Sequence, residues 1–284
     1  MKTSLVTCGF TTFNSEKTIE NALDSALKQN YKNIEIIVVD DNSEDFTIDK
    51  VFLFFKNKSV KFKLIKHSSN LGVAQARNTI LKNANGEFIF FFDSDDYSYK
   101  DRITEQLNKI YKFEKNNFFA DKKNIYSPLC YCDREIIFNK RNKIYCKSMN
   151  ININDFLYKD QIIGSLLFCD SFPNSSETGS TASCMLSART EVLKFLGGFN
   201  PIFRRYEDLD LTINAVLNNI PIIKVNKSLV KQYFTKAEYK KNEYIYELRL
   251  IYKYKKWLKK RNLYKFAYLY VKLKNSFLTL NFKK

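Results

Sequence analysis

Phe88-Ile89-Phe90-Phe91-Phe92-Asp93-Ser94-Asp95-Asp96 is an apolar run that stops abruptly at three carboxylates within four positions. Five large hydrophobes in a row, bounded by Gly86-Glu87 and by the acids, predict a short strand buried on both faces, as a parallel sheet requires. The acids then stand at the carboxyl end of that strand. In open α/β sheets ligands bind in the crevice above that end. Carboxylates this close repel one another unless a cation shares them, and hard oxygen donors suit Mg²⁺ or Mn²⁺. The same residues also fit a solvated acidic turn, with Asp96 or Ser98 capping a helix that begins near Asp101.

Working outward, the flanking sequence alternates strand and helix patterns. Strand patterns at 5–10, 34–39 and 61–66, the last alternating polar and apolar residues, interleave with helical patterns at 15–29, 45–57 and 73–83 before the run at Phe88. This β-α-β-α-β-α-β order with short connections predicts a parallel sheet with helices on both faces. Beyond a helix at 101–115 the pattern loosens: strand-like runs at 125–132, 135–146, 182–188 and 221–225, and helices at 191–196 and 207–218. No internal repeat is present.

Composition narrows the chemistry. The 284 residues, 45% of them hydrophobic, can bury one sizeable core with a small appendage. The start of the chain carries no charged leader or h-region, and no apolar run reaches the roughly 18 residues of a spanning helix, so a cytoplasmic location is expected. Six cysteines without a C-x-x-C pair and a single histidine, His67, leave a zinc site almost without ligands. Reduced thiols follow. His67 itself reads as structural. Seven glycines form neither G-x-G-x-x-G nor G-x-x-x-x-G-K-[ST], which disfavours dinucleotide oxidoreductases and P-loop phosphotransferases. A diphosphate held without a glycine cradle needs another source of positive charge, and a cation on Asp93 and Asp95 supplies one.

The ordered set Thr11-Thr12-Phe13-Asn14, Val38-Val39-Asp40-Asp41-Asn42-Ser43, Asn70-Leu71-Gly72-x-Ala74-x-Ala76-Arg77-Asn78 and Gly86-Glu87 to Asp96 resembles the family 2 glycosyltransferases of GT-A fold. Downstream, Leu196-Gly197-Gly198-Phe199 and Glu207-Asp208-x-Asp210 resemble that family's acceptor-side signature. The resemblance implies an α/β GT-A catalytic domain over 1–235, with 1–100 for the nucleotide sugar and 101–235 for the acceptor. It also implies an inverting, metal-assisted transfer from a UDP-sugar to a saccharide or lipid-linked saccharide, as in surface polysaccharide or lipooligosaccharide synthesis.

Residue by residue, Thr11 and Phe13 look like the strand exit that receives uracil, although Phe13 also fits a core position. Asp41 is similar to the carboxylate that accepts the uracil N3 hydrogen; an Asx turn with Asn42 and Ser43 is the alternative. Arg77 resembles a base or diphosphate contact, or else pairs with Asp93. Asp95 is similar to the metal ligand that bridges to the diphosphate, with Asp93 toward the ribose or metal-bound water and Ser94 between them. Asp96 holds a donor-sugar hydroxyl or caps a helix. Asp208 looks like the general base, with Glu207 beside it, although Glu207, Asp208 and Asp210 also suit a helix first turn. A helix start stabilises a carboxylate, so basicity at Asp208 is expected to come from desolvation by the bound acceptor. One departure stands out: Lys231-Gln232-Tyr233-Phe234 lacks the late histidine that completes the metal shell in many relatives.

The net charge of +17 is concentrated at the carboxyl end, where 236–284 carries 15 Lys/Arg against 3 Glu. Helices at 244–262 and 263–280, with aromatics interleaved among lysines, suit an anionic membrane surface on its inner, cytoplasmic side. They equally suit packing on the catalytic domain or a homodimer. A sugar-nucleotide nucleotidyltransferase is disfavoured because Thr11 to Asn14 offers no glycine-rich basic loop. A nucleic-acid-binding role is disfavoured because acids, not bases, crowd the strand ends.

Overall fold

The computed structural model describes residues 3–117, 127–139, 141–168, 179–234 and 243–281. The elements in chain order begin with β1 (Val6–Thr12), α1 (Ile19–Leu27), β2 (Ile34–Asp40), α2 (Thr47–Phe55), β3 (Phe62–Lys66), α3 (Val73–Asn83) and β4 (Phe88–Asp93). β3, β2, β1 and β4 lie side by side in that order, every pair parallel. All seven residues of β1 and the first five of β4 are buried, as the unbroken apolar runs require. Phe10 stacks on Phe92 across that pair at 4.8 Å between ring centroids.

The second half continues the same sheet with mixed polarity. It comprises β5 (Asp96–Ser98), α4 (Arg102–Asn117), β6 (Leu129–Ile137), β7 (Lys143–Cys146), α5 (Lys159–Phe168), β8 (Ser187–Arg189), α6 (Thr190–Phe195), α7 (Glu207–Leu217) and β9 (Ile222–Tyr233). Beyond β4 the order is β8, β6, β9, β5, with β7 on β6. β8 runs antiparallel to β4, and β5 antiparallel to β9. The nucleotide-side and acceptor-side segments therefore share one sheet rather than facing each other as separate layers.

Several expected boundaries move. β5 was not anticipated, since three residues are too few to show a period; Asp96 pairs with Gln232 in the ladder and caps no helix. The run at 182–188 is a 3₁₀ turn, Ser183–Met185, followed by the three-residue β8, so Cys184 sits on a turn and not in a strand. The two runs at 125–132 and 135–146 divide differently. β6 passes straight through the predicted break to Ile137, and 125–126 lie outside the described residues. β9 extends to Tyr233, past the predicted end at 225, because its far half pairs with β5 and β6 across a register shift at Cys132/Asp133.

Two buried polar nodes fix the strand ends. At the edge away from the acids, Glu35 accepts hydrogen bonds from Thr7 Oγ1 (2.6 Å), Asn85 N (2.7 Å) and Gly86 N (3.1 Å). A Cβ on Gly86 would lie 2.5 Å from the Thr7 backbone nitrogen. Strand backbone cannot yield as a side chain can, so Gly86→Ala is expected to cost about 1–3 kcal/mol. Urea unfolding should show the loss while UDP affinity is retained, because the node lies at the opposite end of β4 from the acids. At the acidic end, the fully buried Arg102 donates to Phe91 O (2.9 Å), Ser98 Oγ (2.9 Å) and Gln106 Oε1 (3.1 Å). It thereby locks β5 to β4 and fixes the turn that carries Asp93 to Asp96.

The basic tail is helical: α8 (Glu243–Lys253), α9 (Lys255–Lys260) and α10 (Tyr264–Asn281). Leu250, Ile251, Leu258, Ala267 and Val271 are buried. Lys253 Nζ lies 2.6 and 2.7 Å from the two Asp210 oxygens, and the Tyr254 hydroxyl donates to Asp210 Oδ1 at 2.8 Å. Burial and Asp210 hold the Tyr254 phenol protonated, well above its usual range. Asp210, read from the sequence as a first-turn acid, is instead the anchor that docks the tail on α7. Among the described residues no helix is long and apolar enough to cross a membrane.

Candidate active site

The carboxyl ends of β1 and β4, the start of α3 and the start of α7 converge on one cavity of about 380 Å³. Its walls include Thr11, Arg77, Asp93, Ser94 and Asp95 from the first half, and Arg204, Arg205, Tyr206, Glu207 and Asp208 from the second. Sequence-distant groups meet here because β4 and the loop before α7 end at the same edge of the sheet.

Arg77 is the central fastener. It is buried, with Nη1 donating to Glu207 Oε1 at 2.7 Å and Nη2 to Asp93 Oδ1 at 3.1 Å. The sequence allowed the Asp93 pair; it gave no sign of Glu207, 130 positions away. Glu207, expected beside the base in a catalytic role, is thus held by Arg77, which ties the start of α7 to α3.

Asp208 is half-buried next to it, with Oδ1 accepting its neighbour Leu209 N–H at 2.7 Å. Burial, and then the Glu207 charge, push its carboxyl up to about 7, against the pull of Arg77. The fold thus already supplies desolvation at Asp208 before any acceptor is bound.

Across the cavity, burial and Asp93 push Asp95 up to about 6. Asp96 is 5% exposed, neither of its oxygens has a hydrogen-bond partner, and burial drives its carboxyl well above the usual range. Ligand atoms of Asp93, Asp96 and Cys184 lie within 4.8 Å of one another. Asp95 lines the cavity beside Asp93 without joining that group. Burial keeps the Cys184 thiol neutral, its pKa raised well above the ordinary value, so the donors suited to a hard cation are the carboxylates. Crowded acids with orphaned oxygens fit a divalent ion, which would discharge their mutual repulsion.

Phe13 and Asp41, the expected base contacts, are not among the residues lining this cavity. Phe13, just past β1, is 46% exposed, so it is not a core residue. Asp41 Oδ2 accepts Gly72 N–H at 2.7 Å, and Oδ1 accepts Leu71 N–H at 2.9 Å and lies 2.7 Å from His67 Nδ1. The Asx turn belongs to Asp40, whose Oδ2 accepts Ser43 N–H at 2.9 Å, with Asn42 at φ 67°. Asp41 is thereby left to pin the 67–72 loop, with one lone pair of Oδ2 still available. His67 is buried and bridges Asp41 to Thr79 Oγ1 (2.9 Å), a structural part as expected. Ser94 is buried, its hydroxyl 2.7 Å from that of Ser15.

Arg204, Arg205 and Tyr206 were missed. Two consecutive arginines just before an acidic helix start were the available signal, and a phosphate-facing pair is one reason for such a juxtaposition. Arg204 Nη1 donates to Asn70 Oδ1 at 2.6 Å, which joins the α7 loop to the loop before α3. Tyr206 takes the left-handed conformation at φ 68°, turning the chain into α7 so that Asp208 faces the cavity.

The sequence profile described as glycosyl transferase family 2 matches residues 8–150. The UDP-Glc:alpha-D-GlcNAc-diphosphoundecaprenol beta-1,3-glucosyltransferase WfaP of Escherichia coli is 36% identical over 147 residues, which is 50% of this chain and 57% of that protein. The chain thus spans little more than half of that relative. S. aureus TarS 1-349 in complex with UDP superposes with a TM-score of 0.57 at 25% identity, covering 81% of this chain and 60% of the other. The mannosyltransferase PcManGT from Pyrobaculum calidifontis, in complex with GDP-Man and Mn²⁺, shares the fold at a TM-score of 0.54 and 20% identity, over 87% of this chain and 60% of that one.

Proposed function

The chain belongs to glycosyl transferase family 2 and has the GT-A fold, and from that premise we propose that it moves a hexosyl group from a UDP-sugar to a saccharide carried on a lipid diphosphate, with inversion at the anomeric carbon. The observation that carries the reading is the single cavity onto which Asp95 and Asp208 open from opposite halves of the sheet. One displacement needs an acceptor-side base and a leaving-group-side electrophile around the same carbon, and this cavity offers a place for both.

The residues divide the work. Phe13 stacks on the base and Asp41 accepts the uracil N3 hydrogen, which selects uridine over bases lacking that donor. Asp93 and Asp95, with Asp96 beneath them, would hold Mn²⁺ or Mg²⁺, which when bound supplies positive charge to the departing diphosphate. Arg205, also on the wall, adds cationic character facing the same space. Asp208 takes the proton of the acceptor hydroxyl as the new glycosidic bond forms. The acceptor class is supported by the relative WfaP, whose name specifies a diphosphoundecaprenol-linked sugar. A lipid-held acceptor places the protein at a membrane surface as a peripheral enzyme.

The test is a panel of UDP-sugars with the full chain and GlcNAc-diphospho-polyprenol, read as UDP release. Mn²⁺ or Mg²⁺ should stimulate release, and chelation or Asp95→Asn should lower it by roughly 10²- to 10³-fold, the usual scale for losing electrostatic stabilisation of a leaving group. Pyrophosphate as product would assign a nucleotidyltransferase instead. Absence of binding to every UDP compound in the presence of manganese would remove the proposal altogether. Inversion is checked separately by the anomeric configuration of the product.

A further inference from the structure

A second cavity, about 540 Å³, lies between the tail and the loop that leads to the base. Its volume falls in the roughly 300–1,000 Å³ range of small-molecule sites. The walls are apolar and aromatic: Ile202 and Phe203 from the loop, Ile245 and Leu248 from α8, Tyr264 and Tyr268 from α10. Ile202 is 53% exposed and Ile245 44%, so the groove presents open hydrophobic surface rather than a sealed core.

We propose that this groove receives the first segments of the hydrocarbon chain of the lipid-linked acceptor, a placement that rests on the acceptor class argued above. Three observations support this occupant. The first is continuity: Ile202 and Phe203 line the groove while Arg204 to Asp208, the next residues of the same loop, line the catalytic cavity. The second is charge at the boundary. Arg204 and Arg205, which follow Ile202 and Phe203 in the loop, line the catalytic cavity, and Arg249, on the groove wall, donates through Nη1 to Ile202 O at 3.0 Å. Cations between a polar and an apolar compartment complement a diphosphate between a sugar and a hydrocarbon chain. The third is the anchoring of the tail. Lys253 and Tyr254 bind Asp210 within the helix that bears Asp208, so the groove walls are fixed relative to the base. A groove for a protein partner would have no need of the cationic boundary or of that alignment.

Calorimetry on the full chain, with UDP present to fill the donor site, tests the assignment with farnesyl diphosphate against inorganic pyrophosphate. Farnesyl diphosphate should bind at least tenfold more tightly. That advantage should vanish in Ile202→Asp and in Ile245→Asp, both at half-exposed positions, with unfolding midpoints close to the parent's. Equal affinity for the two probes, or an advantage kept by both variants, overturns the groove assignment. So does vesicle binding that depends on Ile202 without farnesyl diphosphate binding, which would make the groove a bilayer contact. A dimer that dissociates on Ile202→Asp would equally replace it with a self-interface.

The two readings fail separately. Farnesyl diphosphate bound in the groove, with no transfer to any lipid-linked saccharide, sinks the acceptor class and leaves the groove. Transfer with the same KM whether the diphosphate carries a two-carbon or a polyprenyl chain sinks the groove and leaves the acceptor class.

Discussion

Asp208→Asn is expected to lower transfer by about 10²- to 10⁴-fold, the range for removing a general base, while UDP binding survives. Asparagine keeps the size of the side chain and an oxygen for the Leu209 N–H, so the loss reports the proton acceptor and not the fold. A linked result comes from pH. Burial puts the Asp208 carboxyl at about 7, and a base works only when ionised. In the parent, kcat/KM should therefore fall tenfold per pH unit below about 7 and level off above it, because that ratio reports the free enzyme. The residual activity of the asparagine variant should lack this limb. A variant that transfers within tenfold of the parent, or that keeps the limb, would take Asp208 out of the base role and leave the acceptor half of the cavity without one.

The sequence shows the side chains of this site better than their electrostatics, for a physical reason. Asp208 was legible as a candidate from the Glu-Asp pair at a helix start, but its basicity depends on how deeply the start of α7 is buried, which no local pattern carries. The same holds for Arg77, whose partner Glu207 lies on a different element. In the fold, β4 and α3 appear with the predicted bounds because a doubly buried strand and a regular amphipathic helix each leave a continuous periodic trace. β5 and β8 leave none: three residues each, they exist only because β9 and β4 offer them ladder partners. β5 is nonetheless the element that carries the buried Asp96 next to Asp93 and Asp95. The shortest strands matter most to the site and are the least visible from the sequence. The tail was read as equally suited to membrane, partner or domain. The contacts of Lys253 and Tyr254 with Asp210 dock it on α7, a pairing of distant residues that no local pattern carries.

Replacing Arg77 by methionine should have the largest effect on stability. The guanidinium holds two carboxylates from different halves of the sheet, Glu207 at 2.7 Å and Asp93 at 3.1 Å, and both lie mostly out of solvent. Removing one partner from a buried ion pair costs about 3–5 kcal/mol, chiefly because the remaining charge stays desolvated and unpaired. Methionine matches the apolar stem, so little of the loss is a cavity. Lysine should recover only part of it, since a point charge cannot bridge both acids as the planar fork does. The diagnostic variant is Arg77→Met with Glu207→Gln. If the cost arises from stranded charge, neutralising Glu207 restores a measurable fraction of the urea midpoint, which two independent losses would lower further. A single-variant cost below about 1 kcal/mol, the scale of an exposed ion pair, would mean that water already solvates both acids. Arg77 would then be free to move to a ligand phosphate, and the cavity would owe its shape to the strands alone.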